Sequence, residues 1–185
     1  MNRVLTLVIG AFVVTLLLSA CTTEVASDRL QFSLSDSGTI GYELDDEGQL
    51  TVEGRNLRFR NGAGAYGVTI SEYRIAFFDQ AGAPIDAGGS SQVGSVNLYV
   101  PPGIQCDEPD VVYGCKLGDP GWRFAPGAEV VSPQSYQLMP AGLALAHVAA
   151  GFPVGWYAEI EFDGFDTVGQ SFTTAPYLVS ITAPD

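Results

Sequence analysis

The chain has one histidine, and a serine-type hydrolase needs a histidine held between a nucleophilic Ser and a carboxylate. His147 sits instead in the run Leu143-Ala144-Leu145-Ala146-His147-Val148, among small apolar side chains. No G-x-S-x-G motif occurs, so His147 reads as a partly buried structural residue. Glu159, Glu161 and Asp163 alternate with Ala158, Ile160 and Phe162. Paired carboxylates can carry glycoside hydrolysis, but acids opposite an apolar face are what any solvated strand displays. Asp45, Asp46 and Glu47 fill one turn, and Asp163 with Asp166 another. Neither matches the twelve-residue calcium loop. Asx-type turn formation is the leading reading there. A calcium ion held by Asp45 and Asp46, or by Asp163 and Asp166, is the weaker alternative. The glycine-rich residues 62–67 lack the Lys and Ser/Thr of a phosphate loop and read as a turn. Trp122 and Tyr113 remain as aromatics able to stack on a sugar ring, since Trp156 falls on the apolar face of a strand. No catalytic constellation emerges, and the chain is expected not to be an enzyme.

The amino-terminal stretch carries a different kind of chemistry. Arg3 is followed by an apolar run over residues 4–18 and by small residues, the pattern of a cleaved secretory signal. As a membrane span, residues 4–20 would lie at the lower limit for a hydrocarbon core of roughly 30 Å, and no cluster of Lys or Arg follows. The run ends in Leu18-Ser19-Ala20-Cys21, which resembles the lipobox of bacterial lipoproteins. That resemblance covers residues 1–21 and implies cleavage before Cys21, diacylglycerol on its thiol and acylation of the new amine. Each buried methylene contributes about 0.8 kcal/mol, so two or three acyl chains tether a protein to a bilayer nearly permanently. Thr22, where some lipoproteins carry Asp, implies the outer membrane if the cell is Gram-negative. The alternative is an ordinary signal, with Cys21 incidental.

Cysteine parity favours lipidation. The chain has 3 Cys, and an odd thiol in an oxidising compartment needs an explanation that lipidation of Cys21 supplies. Cys106 and Cys115 then pair. They lack the His or further Cys of a metal site, and closing a loop of about ten residues contributes about 2–3 kcal/mol in the chain-entropy model.

Of the 8 basic and 21 acidic side chains, only Arg3 lies in the first twenty residues, so the remainder carries a net charge of −14. Basic residues are scattered and Lys116 is the one lysine, which argues against a nucleic-acid partner. The acidity favours solubility and repulsion from anionic head groups.

Residues 1–20 are therefore expected to be a signal helix, 21–29 a lipidated Cys with a short tether, and 30–185 one domain. Within that domain, period-two runs alternate with turns. Leu30, Phe32 and Leu34 precede one turn, and Ile40, Tyr42 and Leu44 precede another. Leu50 and Val52, then Leu57 and Phe59, form a long strand or a pair broken near Gly54. Together these predict consecutive strands joined by hairpins. Residues 68–79 predict a central strand with Tyr73, Ile75 and Phe77 on one face and Arg74 on the other. Residues 92–100 predict a strand with Val96, Leu98 and Val100 together. Residues 101–126 have no clean period. Residues 128–139 predict a further strand, and 143–150 a strand or short helix. The cleanest amphipathic strand spans 156–163, and the last strand 170–182, bent at Pro176.

Eight to ten short strands in one domain predict an all-β, antiparallel β-sandwich. The final hairpin, Tyr157-Ala158-Glu159-Ile160-Glu161-Phe162-Asp163-Gly164 through Tyr177-Leu178-Val179-Ser180-Ile181, resembles the last two strands of immunoglobulin-like or fibronectin type III-like modules of bacterial surface lipoproteins. Cys106 and Cys115 lie too close in sequence for the inter-sheet disulfide of immunoglobulin domains. The function expected is that of a non-enzymatic, lipid-anchored envelope protein that contacts a protein or envelope polymer through residues 101–126. The alternative is a carbohydrate-binding module, calcium-assisted, using Trp122 and Tyr113. No other cofactor is expected.

Overall fold

The computed structural model describes residues 29–35, 38–86 and 91–183. The signal segment, Cys21 and the tether up to residue 28 lie outside the described residues. The described chain is mostly β, and its strand pairs are antiparallel. One isolated bridge, Ile40 with Ile181, is parallel.

The main sheet is built on β5 (Val68–Phe78), flanked by β6 (Ser91–Val100) and β10 (Tyr157–Asp166). Two short strands, β11 (Ser171–Thr173) and β12 (Tyr177–Ser180), share the outer edge of β10. A second sheet has the order β1 (Leu30–Leu34), β4 (Leu57–Asn61), β9 (Val130–Val131). Two small ladders complete the pairing, β2 (Tyr42–Leu44) with β3 (Leu50–Val52) and β7 (Ile104–Gln105) with β8 (Arg123–Phe124).

The apolar faces of the two larger sheets share one core. Phe162 of β10 lies 4.7 Å from Phe32 and 4.8 Å from Phe59, ring centroid to ring centroid, and Tyr177 closes the group 5.2 Å from Phe32. These tilted and edge-on contacts suit aromatic quadrupoles and bury large apolar areas. Burial pushes the Tyr177 phenol up to about 12, and its hydroxyl donates to the carbonyl of Leu30.

Strand β5 carries its inward side chains at Val68 and Ile70, then at Tyr73, Ile75 and Phe77. The parity changes because Ser71 is an extra residue. Ile70 pairs with Gly164 and Glu72 with Asp163, which leaves Ser71 opposite nothing on β10, a β-bulge. Its hydroxyl donates to the carbonyl of Asp163 at 3.1 Å. The expected face of Tyr73, Ile75 and Phe77, with Arg74 opposite, is present beyond the bulge. Gly94 pairs with Tyr73, and a Cβ there would meet that ring at 2.3 Å. The glycine makes room for the aromatic ring.

Several expectations are corrected. The first strands do not form a run of hairpins: β1 pairs with β4, while Ile40 bridges to Ile181. Only β2 and β3 form the expected early hairpin. The chain breaks near Gly54, where a Cβ would meet the Ser135 hydroxyl at 2.8 Å, and β3 and β4 join different sheets. Within 128–139 only β9 and a bridge from Tyr136 to Arg55 are paired, since Pro133 removes a donor. The last strand divides into β11 and β12 around Thr174 to Pro176. There the Thr174 hydroxyl accepts from the backbone N–H of Phe162 in place of a ladder bond.

The segment at 143–150 is helical, as α1 (Ala141–Ala149). Leu143, Ala144 and His147 are buried while Leu145 is exposed, the spacing of a helix rather than of a strand, where Leu143, Leu145 and His147 would share a face.

Strand directions give the molecule two ends. β5 starts, while β1 starts and β4, β6 and β10 end, at one end; residues 62–67, the 101–126 segment and the 166–170 turn gather there. The β2–β3 hairpin, α1 and the turn after β5 lie at the other.

Three turns share one construction. In Asp45-Asp46-Glu47-Gly48-Gln49, Asp79-Gln80-Ala81-Gly82-Ala83 and Asp166-Thr167-Val168-Gly169-Gln170, an Asp Oδ1 accepts two backbone N–H groups and a Gly follows with φ between 77° and 85°. The carboxylate replaces backbone partners that the turn cannot supply, and Gly tolerates the left-handed conformation.

Candidate functional site

The 101–126 segment is fastened by Cys106 and Cys115, which form a disulfide with their Cα atoms 5.6 Å apart. Where no period was visible, the β7–β8 ladder binds the two limbs of the loop. Between them, Asp110 organises a tight turn. Its Oδ1 accepts from Val112 N at 2.8 Å and Tyr113 N at 2.7 Å, and its backbone pairs with Gly114. Those hydrogen bonds hold the Asp110 carboxyl below the usual carboxylate range, with a smaller contribution from Lys116. The turn is therefore firmly built, yet its apex is apolar: Val111 is 100% exposed and Val112 61%.

Residues 62–67 form the floor beside this loop. Gly103 lies against them, its N–H on the Ala65 carbonyl at 2.9 Å and its carbonyl accepting from Gly64 at 2.8 Å. A Cβ on Gly103 would sit 1.8 Å from the carbonyl oxygen of Gly62, so only glycine allows this approach. Asn61, fully buried, ties the corner together. Its Nδ2 donates to the carbonyls of Tyr66 and Pro101 at 3.0 and 2.8 Å. In the sequence, Asn61-Gly62 reads as an ordinary loop entry; only the tertiary contact reveals the residue's role.

Together these pieces line a groove of about 490 Å³, mainly apolar, between the loop and the β10–β11 turn. Tyr66, Tyr99, Tyr113, Leu117, Phe124 and Val168 are its principal walls. Tyr99 and Tyr113 meet edge-on with centroids 5.8 Å apart, and burial, with Tyr113 beside it, raises the Tyr99 phenol. Lys116 Nζ lies 5.7 Å from the centre of the Tyr113 ring.

The expected pair of ligand-contact aromatics is present but divided. Tyr113 (55% exposed) lines the groove; Trp122 (43% exposed) is outside its lining and packs edge-on against Phe124 at 5.5 Å. The two rings thus have separate partners rather than one shared stacking plane. Tyr66 and Phe124 are exposed aromatics of the same site that sequence reasoning missed. Each stands in a glycine- or proline-rich stretch where no period marks a face.

The other sequence candidates lie elsewhere. His147 is 1% exposed, not partly buried, and both ring nitrogens have partners: Nδ1 with the Tyr42 hydroxyl and Nε2 with the Pro153 carbonyl, each at 2.9 Å. A carbonyl can only accept, so Nε2 donates to Pro153; in that tautomer Nδ1 accepts from the Tyr42 hydroxyl. Burial raises the Tyr42 phenol. Trp156 packs 5.1 Å from the imidazole, as a half-buried core neighbour.

Glu161 and Asp163 share Arg74, at 3.4 and 3.2 Å, and Asp163 also accepts from the Thr173 hydroxyl. Asp45 and Asp166 are the turn carboxylates described above. Asp46 neighbours Asp45 in that turn. Among the described residues, no three His, Cys, Asp or Glu side chains gather as metal ligands. A polar recess of about 640 Å³ lies at the far end beside the β2–β3 hairpin, where Arg55 pairs with Glu53.

The chain matches no protein-family model and no curated protein.

Proposed function

We propose that the chain is an exported, lipid-anchored and non-enzymatic protein of the cell envelope, anchored through Cys21. Its immunoglobulin-like β-sandwich presents the disulfide-closed end as a contact surface for a protein or envelope polymer. The observation that carries this reading is the apolar groove of about 490 Å³, walled by Tyr66 of the 62–67 floor and by Tyr113, Leu117 and Phe124 of a loop closed by its own disulfide and ladder. Exposed aromatic clusters beside a rigid scaffold are where binding energy concentrates. The lipobox at Leu18-Ser19-Ala20-Cys21 supports the anchor, and the pairing of Cys106 with Cys115 leaves Cys21 as the odd thiol.

The test places a photo-crosslinking side chain at Phe124, and separately at Leu178 on the outer edge strand β12, in the full chain in its native envelope. Crosslinks to a defined protein or polymer from position 124 alone support the reading. Equal yields from both positions, or none from 124, contradict it.

A further inference from the structure

The groove does not account for the whole apolar end. Val111 and Val112 form the apex of the Asp110 turn, and Trp122 is exposed in the same 101–126 loop, packed on Phe124; none of the three lines the groove. All three are exposed, and the two valines sit at the tip of the turn. Tight turns normally put Asn, Asp, Gly or Ser at such positions. Two valines held outward by a well-made turn therefore have no folding rationale.

The position of this tip relative to the chain's start points to its partner. Arg29 enters β1 at this end, and its guanidinium donates to the Ala63 carbonyl at 2.8 Å. A Cβ on Gly64 would touch Arg29 Nη1 at 2.9 Å and the Phe124 ring at 3.6 Å, so the chain arrives at the wall of the groove. From Cys21 to Arg29 the chain is eight steps long, at most about 28 Å when fully extended. An anchor at Cys21 therefore keeps this end near the bilayer.

Charge is arranged to match. Arg29, Arg60, Lys116 and Arg123 lie at this end against Asp107, Glu108, Asp110, Asp119 and Asp166, which leaves it close to neutral. Asp45, Asp46, Glu47, Asp79 and Asp86 lie in the turns of the opposite end. An anionic membrane surface therefore repels the far end more strongly than the near one.

We infer that the tip formed by Val111, Val112 and Trp122 seats in the interfacial layer of the membrane that holds the anchor. The domain then stands upright, with the groove beside the lipid surface and the acidic end facing away. Indole rings favour this layer because one edge is apolar and the other donates a hydrogen bond. Lys116 can extend to the head groups from beside Tyr113. The inference rests on the lipid-anchor reading of Cys21.

The full chain, purified from membranes, supplies the test. Its N-terminal peptide is weighed by mass spectrometry. The protein is reconstituted into phosphatidylethanolamine–phosphatidylglycerol vesicles, with and without lipid bearing a doxyl quencher near the head group. The expected result is an acylated Cys21 and a tryptophan component quenched about twofold or more, as for a side chain buried ~5–10 Å into the boundary. Trp122→Phe removes that component; half-buried Trp156, at the other end, remains as an internal reference. Acylated Cys21 with unquenched Trp122 overturns the docking, leaves the anchor standing and returns the tip to a protein or polymer partner. A Cys21 peptide without acyl chains overturns the anchor, and the inference with it.

Discussion

The pair formed by Tyr42 and His147 gives the sharpest test of whether the lone histidine is structural. Tyr42 is 2% exposed, and its hydroxyl is 2.9 Å from Nδ1 of His147. Tyr42→Phe keeps the ring and its edge-on contact with the imidazole, with centroids 5.8 Å apart. What it removes is one hydrogen bond, leaving a buried imidazole acceptor without a donor. An unsatisfied buried group of this kind costs about 1–3 kcal/mol. In a chain of this size each kcal/mol lowers Tm by about 2–4 °C, so a drop of roughly 2–12 °C is expected. His147→Leu removes the acceptor and also leaves the Pro153 carbonyl unpartnered. The double variant should therefore lose less than the sum of the two, by about 0.5–3 kcal/mol of coupling. Thermal and urea unfolding, followed by Trp156 fluorescence beside the imidazole and by circular dichroism, measure all four corners of the cycle. A Tyr42→Phe protein within about 0.5 kcal/mol of the original, with strictly additive effects, refutes the reasoning.

Replacing Cys106 and Cys115 together by Ser should lower stability by about 2–3 kcal/mol, and a melting curve unchanged by the substitution contradicts the loop-closure argument. Gly94→Ala drives a methyl group toward the Tyr73 ring and should cost about 1–3 kcal/mol by urea titration; an unchanged midpoint shows that the ring is not fixed there. Tyr177 gives a pH dependence. Its phenol lies at about 12 against an ordinary 10.0, so the neutral form is favoured in the fold. That contribution is complete below pH 10 and disappears as pH rises through about 12. Tyr177→Phe should be less stable than the parent at neutral pH, having lost the bond to Leu30, and the gap should narrow above pH 10. A constant gap across that window removes the linkage.

How far the sequence could be read depended on whether local pattern or tertiary pairing decided the outcome. The inward faces of β5, β6 and β10 were legible because Tyr73, Ile75 and Phe77, Val96 and Leu98, and Ile160 and Phe162 keep a strict period of two. The change of parity between Ile70 and Tyr73 went unread, and the pairing with β10 reveals it as the bulge at Ser71. The turns at Asp45 and Asp166 were legible as Asx-type turns, while the matching one at Asp79 emerged only from its hydrogen bonds. Partner choice was not legible. Leu30–Leu34 and Leu57–Asn61 pair across an intervening hairpin, and nothing local to either strand encodes that crossing. The groove was least legible, since Asn61, Gly103 and Phe124 meet through backbone contacts over long separations and carry no common period. Tyr113 and Trp122 were found by type and exposure alone, which could not reveal that they face different neighbours.

The proposed contact surface is the disulfide-closed end, in a protein held in the envelope. Amide hydrogen exchange of the full chain tests it most directly, compared between native envelope and detergent solution. The predicted result is added protection in the envelope over residues 62–67, 104–125 and 166–170, with no change in α1 or the β2–β3 hairpin. Protection at that opposite end, with the loop exchanging equally in both settings, contradicts it.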